Sequence, residues 1–282
     1  MKSLLDIFVE HTLLNRNDEF NKYVTHRNWN QKTIDEWRLG FFPESSVLSL
    51  IAKANDAKFG LIDLEKNFVC KKIGYNYRSL LFNRIIFPIY DAFDNVLAVS
   101  GRVLDESKPK YFNTVFQKAK HLFGLNLTKK YIYEAKRVLV FEGYADVISS
   151  YQNEIKNVTC CMGTALTEEH YVLLSRYASE IVAFFDNDSA GFQALQRFND
   201  KCIGERRTDT RILRCFLNKY KDVDEFLKNK SAEEFNAYVN SYVSNEELQG
   251  RLEKLNSKMS ATEIVMTLKF AENAGGKIIG GN

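Results

Sequence analysis

The chain contains no C-x-x-C pair, which excludes the zinc ribbons and knuckles built on that spacing. Its five cysteines, Cys70, Cys160, Cys161, Cys202 and Cys215, are odd in number and include an adjacent pair, which argues against a disulfide framework. They read as buried thiols in a reducing compartment. No stretch approaches the roughly 20 apolar residues that a membrane helix requires. Met1-Lys2-Ser3-Leu4-Leu5-Asp6 has a lone basic residue and no apolar core, so it is not a secretory signal. Internal repeats, coiled-coil heptads and low-complexity linkers are also missing. These absences leave a cytoplasmic globular protein with no membrane partner.

What is present is ordinary in bulk and uneven in distribution. A 45% hydrophobic and 27% charged composition over 282 residues supports two modest domains, or one large one with appendages. The formal charge of +3 does not announce a nucleic-acid binder. However, Lys and Arg gather from Arg78 through Lys136, ahead of an acid-rich middle. A basic surface beside an acidic pocket is how a phosphate backbone is held near a reactive centre.

The acid-rich middle runs from Arg137 to Gly191. Val138-Leu139-Val140-Phe141 reads as a buried strand. It is followed by Glu142 and then by Gly143-Tyr144-Ala145-Asp146, where Gly143 is expected to relax the backbone into a helix that carries Asp146 on the face of Glu142. Ile181-Val182-Ala183-Phe184-Phe185 repeats the pattern and ends in Asp186-Asn187-Asp188-Ser189-Ala190-Gly191, with a helix to about Asp200. An Asp-x-Asp alone is more often a solvated turn. Its place after an apolar strand, paired with a second strand that ends in Glu142, points instead to one acidic pocket at the carboxyl ends of parallel strands. Carboxylates so crowded resist ionising together unless a hard divalent cation, Mg²⁺ or Mn²⁺, lies among them.

The flanks are readable in part. Residues 1 to about 45 read as helical, with Leu4, Leu5, Phe8 and Val9 at helical spacing, and residues 46–75 carry no nameable chemistry. Arg84 to Tyr90, a turn at Asp91–Asn95, and Val96 to Val103 form a β-hairpin pattern. Further strands are expected at Val158–Met162 and Arg211–Leu217. Tyr111, Phe112 and Phe116, interleaved with basic residues, offer either a stacking surface for bases or core. His170 reads as a solvated helix residue with no role. From Ser231 the sequence is helical and polar, ending in a glycine-rich tail.

Phe141-Glu142-Gly143-Tyr144-Ala145-Asp146-Val147, Gly163-Thr164-Ala165-Leu166-Thr167 and Phe185-Asp186-Asn187-Asp188-Ser189-Ala190-Gly191 together resemble the Toprim domain. The surrounding chain, from about Trp37 to Leu227, is similar to the catalytic core of DnaG-type primases and their phage relatives. The resemblance implies an α+β/α/β fold: a basic mixed α/β N-terminal subdomain over 1–128, a central Toprim parallel-sheet domain over 129–230, and a C-terminal helical segment over 231–282. It implies synthesis of short RNA primers on single-stranded DNA from ribonucleoside triphosphates. Lys221-Asp222-Val223-Asp224 resembles the third acidic motif, so the implied metal set is Glu142, Asp146, Asp186, Asp188, Asp222 and Asp224, with Glu142, Asp186 and Asp188 catalytic. Asp222 has a second reading as the cap of the helix that follows.

Arg102, Lys110 and Lys118 match the basic positions of the family, and Arg84 and Lys120 accompany them as candidate nucleotide or template contacts. The loop between Asn113 and Phe116 is shorter than the usual family version. Arg38 lies in the segment that opens the family core near the nucleic-acid path, or else snorkels over aromatics. The zinc-binding domain usual in the family is missing from this sequence, so such a module is expected in a separate subunit, and a replicative helicase is a further expected partner. The compactness suggests a phage or similar replicon, hence a host cytoplasm. The competing readings are a Toprim nuclease and a non-catalytic DNA- or helicase-binding subunit.

Overall fold

The computed structural model describes residues 2–184, 209–217 and 219–243, with single positions between 197 and 204. Residues 1–232 pack as one compact unit and 233–282 form a second. In the second unit, positions up to 243 are helical and bury Phe235, Val239 and Val243, one side chain per turn. The remainder of the expected C-terminal helices lies outside the described residues, as does the helix expected from Ser189.

The chain opens with α1 (Leu4–Leu13), α2 (Asp18–His26) and α3 (Gln31–Glu36). Ser3 and Asp6 form a reciprocal capping box that fixes the start of α1. Leu4, Leu5, Phe8 and Val9 then turn inward together. The helical expectation for residues 1 to 45 fails after Glu36: Gly40–Phe42 is a strand, β1, pairing with residues 84–86. Phe41 and Phe42 are fully buried, and a Cβ on Gly40 would meet the Thr12 hydroxyl at 2.1 Å, so only glycine lets β1 lie this close to α1.

Next come α4 (Val47–Asp56), α5 (Leu61–Lys66), and a hairpin of β2 (Lys71–Ile73) and β3 (Asn76–Arg78). The main antiparallel sheet adds β4 (Arg84–Tyr90), β5 (Val96–Val103) and β6 (Tyr111–Asn113), in the order β1–β4–β5–β6. The β4–β5 hairpin has the limits read from sequence. Asp91 closes its turn by accepting from the backbone of Phe93 and Asn95. Every β4 residue except Tyr90 is buried, with Phe42, Leu50, Leu81, Ile86 and Val99 in one core against α1. Full burial of each such side chain is worth roughly 1.5–3 kcal/mol.

The second half alternates helix and strand: α6 (Leu125–Ala135), β7 (Arg137–Phe141), α7 (Tyr144–Gln152), β8 (Val158–Cys160), α8 (Glu168–Leu174), β9 (Glu180–Ala183), β10 (Arg211–Arg214) and α9 (Val223–Asn229). All pairings in this sheet are parallel, in the order β8–β7–β9–β10. Its strands are buried on both faces, which accounts for their continuous apolar runs. Two strands stop short of expectation. β8 ends at Cys160, ahead of Met162 with its φ of 57°, and β10 ends at Arg214. Cys70, Cys160, Cys161 and Cys215 are buried thiols outside any disulfide, and burial pushes the Cys70 thiol up to about 11. Cys202 lies outside the described residues. No helix among the described residues is long and apolar enough to cross a membrane.

The order of the parallel sheet positions the site. From β7 the chain goes to β8 on one side and then to β9 on the other, so the topology reverses at β7. A crevice opens at the carboxyl end of such a strand, and Glu142 is the first residue beyond it.

Candidate active site

Glu142, at the end of β7, is exposed to solvent. Gly143 follows with φ −116° and ψ 157°, an extended conformation open to any residue. The expectation that Gly143 relaxes a turn is therefore corrected. A Cβ there would sit 3.0 Å from the Asp146 carboxylate, so the glycine makes room rather than supplying backbone freedom. Asp146 lies in the first turn of α7 and is 9% exposed. It accepts from the Asp224 backbone N–H at 3.1 Å, which ties the start of α7 to the start of α9. Burial, with the nearby charges of Asp222 and Asp224, pushes the Asp146 carboxyl up to about 7.

The third acidic segment enters from β10. Asp222 is half-buried and caps α9 by accepting from Glu225 N–H at 2.9 Å, so the capping role that its sequence allowed is realised. Its side chain nonetheless lines the same crevice as Glu142 and Asp146. Asp224 turns away from solvent into a cationic cage: Arg27 at 2.6 Å, Lys228 at 3.0 Å, and the Ser149 hydroxyl, which donates to it. Burial alone would raise its pKa. The Ser149 and Lys228 hydrogen bonds and the Arg27 charge outweigh burial and hold it below the usual carboxylate range.

The crevice is a cleft of about 440 Å³ with both signs of charge on its walls. Glu142, Asp146 and Asp222 line it together with Arg27, Lys110 and Lys221. Behind Lys110, the Arg102 guanidinium lies 4.7 Å from the Tyr23 ring centre and 5.8 Å from that of Tyr111, a cation–π sandwich. Partial burial, then the charges of Arg102, Lys221 and Arg27, lower the Lys110 pKa. Tyr111 is thereby wall and packing at once, and Phe112 packs against the N-terminal core.

The other candidates are scattered. Arg84 is buried and donates to the carbonyls of Gly101 at 3.1 Å and Pro109 at 2.9 Å. Its assignment as a nucleic-acid contact is corrected, because the guanidinium braces the loop beneath Lys110. Arg38 has a φ of 51° and lines a separate cavity of about 270 Å³ with Trp37 and Tyr90, so the structure does not bring it to the acid cleft. Lys118 and Lys120 occupy a 3₁₀ turn that contributes nothing to the cleft walls. Asp186 and Asp188 lie outside the described residues, two and four positions after Phe184, which lines the cleft. Among the described residues no three His, Cys, Asp or Glu side chains are gathered closely enough to hold a metal ion.

Sequence reading missed two residues outright. His170 is fully buried rather than solvated, which corrects the reading from sequence. Its Nε2 donates toward the carbonyls of Lys118 at 2.8 Å and His121 at 3.1 Å, while Nδ1 accepts from Thr167 N–H. It clamps the turn that carries Lys118. Arg27, the partner of Asp224, is 197 positions from it, and no local pattern marks such a pair.

Comparison with known proteins agrees with this geometry. Residues 7–129 match the family described as the DNA primase catalytic core, N-terminal domain, and residues 139–227 match the Toprim-like family. The chain is similar to the DNA primase of Clostridium acetobutylicum, 36% identical over 241 residues, covering 82% of this chain and 39% of that protein. It is also similar to the DNA primase of Aquifex aeolicus, 32% identical, covering 84% of this chain and 47% of that one. The chain thus spans less than half the length of either relative. Among solved structures, the E. coli primase catalytic core superposes with a TM-score of 0.72 at 26% identity, covering 84% of this chain and 79% of that one. A DnaG primase catalytic domain bound to single-stranded DNA superposes with a TM-score of 0.73 at 24% identity, over 84% and 79% of the two chains.

Proposed function

This chain is a homologue of the bacterial DNA primases, carrying the N-terminal domain of their catalytic core followed by a Toprim-like domain, and from that premise we propose that it joins ribonucleotides into a short RNA primer on a single-stranded DNA template. The observation that carries this reading is the cleft that Glu142, Asp146 and Asp222 share with Lys110, Lys221 and Arg27 at the switch point of a parallel sheet. We take the Toprim half to begin near residue 129 and to end near 230.

Toprim domains depend on divalent metal, and the acidic residues that line the cleft offer the carboxylate oxygens a hard cation takes. Glu142, Asp146 and Asp222, with Asp186 and Asp188 from the same motifs, would hold Mg²⁺ or Mn²⁺, while Asp224, caged by Arg27 and Lys228, steadies the site from behind. When bound there, such an ion supplies charge neutralisation at the attacked phosphorus and the departing pyrophosphate. Glu142, the exposed member, either joins the ligand set or takes the 3′-hydroxyl proton as general base. Lys110 and Lys221 hold phosphate oxygens, and Arg102 orients Tyr111 and Lys110 from behind. Lys118 and Lys120 lie along the template approach. A separate zinc-binding subunit and a replicative helicase are the proposed partners.

The test is incubation with single-stranded DNA, labelled ribonucleotides and Mg²⁺ or Mn²⁺, with and without helicase. Short labelled RNA is the expected product, lost in Asp186→Ala while DNA binding persists. Lys110→Ala should weaken binding and reduce its salt slope by about 0.7 per lost phosphate contact. Metal-dependent cleavage of the DNA with no nucleotide incorporated would overturn the reading in favour of a nuclease.

A further inference from the structure

Adjacent residues of a strand point to opposite faces. On β6, the edge strand of the antiparallel sheet, Tyr111 lines the acid cleft while Phe112 lines a second groove, of about 500 Å³, on the other face. Phe68 and Leu80 line that groove too, 48% and 57% exposed, and Lys71 and Arg78 rise from the β2–β3 hairpin beside them. Lys71 and Arg78 stand directly opposite each other in the hairpin register, where like charges destabilise a strand pair. Neither has an acidic partner at ion-pair distance among the described residues. Glu65 is the one acid among the described residues that line the groove, and from 66 to 78 the sequence holds exposed Lys66, Lys71, Lys72 and Arg78 and no further acid. At the hairpin tip, Tyr75 is 100% exposed.

An anion between Lys71 and Arg78 removes their conflict, and apolar rings beside paired cations suit a chain that alternates flat bases with phosphates. We propose that this groove and the hairpin tip bind single-stranded nucleic acid that passes around β6 from the acid cleft. Bases stack on Tyr75 and on the Phe68 and Phe112 rings, while Lys71 and Arg78 take the phosphates. This rests on the proposed entry of a single-stranded template into the acid cleft and gives that strand its onward path. The observations favour it over an acidic peptide because the groove and the cleft are lined by consecutive β6 residues, Phe112 and Tyr111, and the groove adds exposed rings to its cations.

The test is fluorescence anisotropy with labelled dT oligomers of about 6 and 20 nucleotides, at several salt concentrations. The variants are Tyr75→Ala, the double variant Lys71→Ala/Arg78→Ala, and Lys110→Ala as the cleft control; the three hairpin positions are exposed and leave the core intact. Tyr75→Ala should weaken binding of the long oligomer roughly ten-fold, the loss of one stacked base. The double variant should lower its salt slope by about 1.4, two phosphates at about 0.7 each. The short oligomer, held by the cleft alone, should bind as before. If the hairpin variants bind the long oligomer like the wild type while Lys110→Ala does not, the inference is overturned and the proposed function stands, leaving the groove to a protein partner. If the unaltered protein binds neither oligomer, both readings fall.

Discussion

Replacing Arg27 with methionine isolates the device that keeps Asp224 charged inside the fold. The guanidinium lies 2.6 Å from the Asp224 carboxylate, with the two side chains 16% and 4% exposed. Removing one partner of a buried pair typically costs 3–5 kcal/mol, because the other is left as an uncompensated charge. Lys228, at 3.0 Å, still compensates in part. The expected loss is therefore at the lower end of that range, about 3 kcal/mol of unfolding free energy.

The pH dependence follows from the direction of the Asp224 shift. Its folded pKa is held below the ordinary value, so the stability it contributes is present above the unfolded Asp range and is lost as pH falls through the folded pKa. The gap between wild type and Arg27→Met should be full at pH 8 and should close below about pH 4. Chemical denaturation followed by tryptophan fluorescence reads this directly, because Trp29 donates to the same Ser149 hydroxyl that contacts Asp224. Arg27→Met combined with Asp224→Asn removes both charges and should recover to within about 1 kcal/mol of wild type. A single-variant loss under about 1 kcal/mol, or a double-variant loss equal to the sum of the two singles, would refute the reasoning.

Two further predictions concern histidines away from the cleft. His11 is 1% exposed and bonded to the Ser46 hydroxyl at 3.0 Å, and burial lowers its pKa to about 4. The folded state thus prefers neutral imidazole: its stability contribution is complete above about pH 6.5 and is lost as pH falls toward 4, about 3 kcal/mol in all. His11→Gln should remove that slope in unfolding free energies measured at pH 7.5 and 4.5, and an unchanged slope would discard the assignment. His170→Ala leaves the carbonyls of Lys118 and His121 without their donor, so amide exchange at 118–121 should accelerate by at least ten-fold, about 1.4 kcal/mol of lost protection. Exchange equal to wild type would show that the turn stands without the clamp.

What could be read in advance follows from where the information resides. The β4–β5 hairpin was legible to the residue, because an apolar strand, an Asp–Asn turn and a second strand are all local signals. The strand leading to Glu142 was legible for the same reason, and the family resemblance then grouped acids that composition would have left in separate turns. β1 was not legible: a strand of Gly40–Phe42 exists only because β4 and α1 flank it. His170 and Arg27 were invisible because their partners are 52 and 197 positions away. Arg84 misled for a related reason, since a basic residue on a basic hairpin gives no sign that two carbonyls will enclose it.

The four described acids of the cleft raise one problem and meet it in four ways. Two carboxylates roughly 6 Å apart at an effective dielectric constant near 20 repel by about 3 kcal/mol. Several such pairs would consume a large part of the 5–15 kcal/mol that separates a folded domain from its unfolded chain. Glu142 stays in water, which screens it. Asp222 is satisfied by the N–H that it caps. Asp224 is neutralised by Arg27 and Lys228. Asp146, buried and accepting from the Asp224 N–H, has its pKa raised to about 7, by burial first and then by the charges of Asp222 and Asp224. Of the four, Glu142 is exposed and Asp222 half-buried, and both line the cleft. The network through Arg27 and Ser149 also anchors the start of α9, which Asp222 caps, to α7, which follows Glu142, and so ties together the two segments that a positioned phosphate would meet.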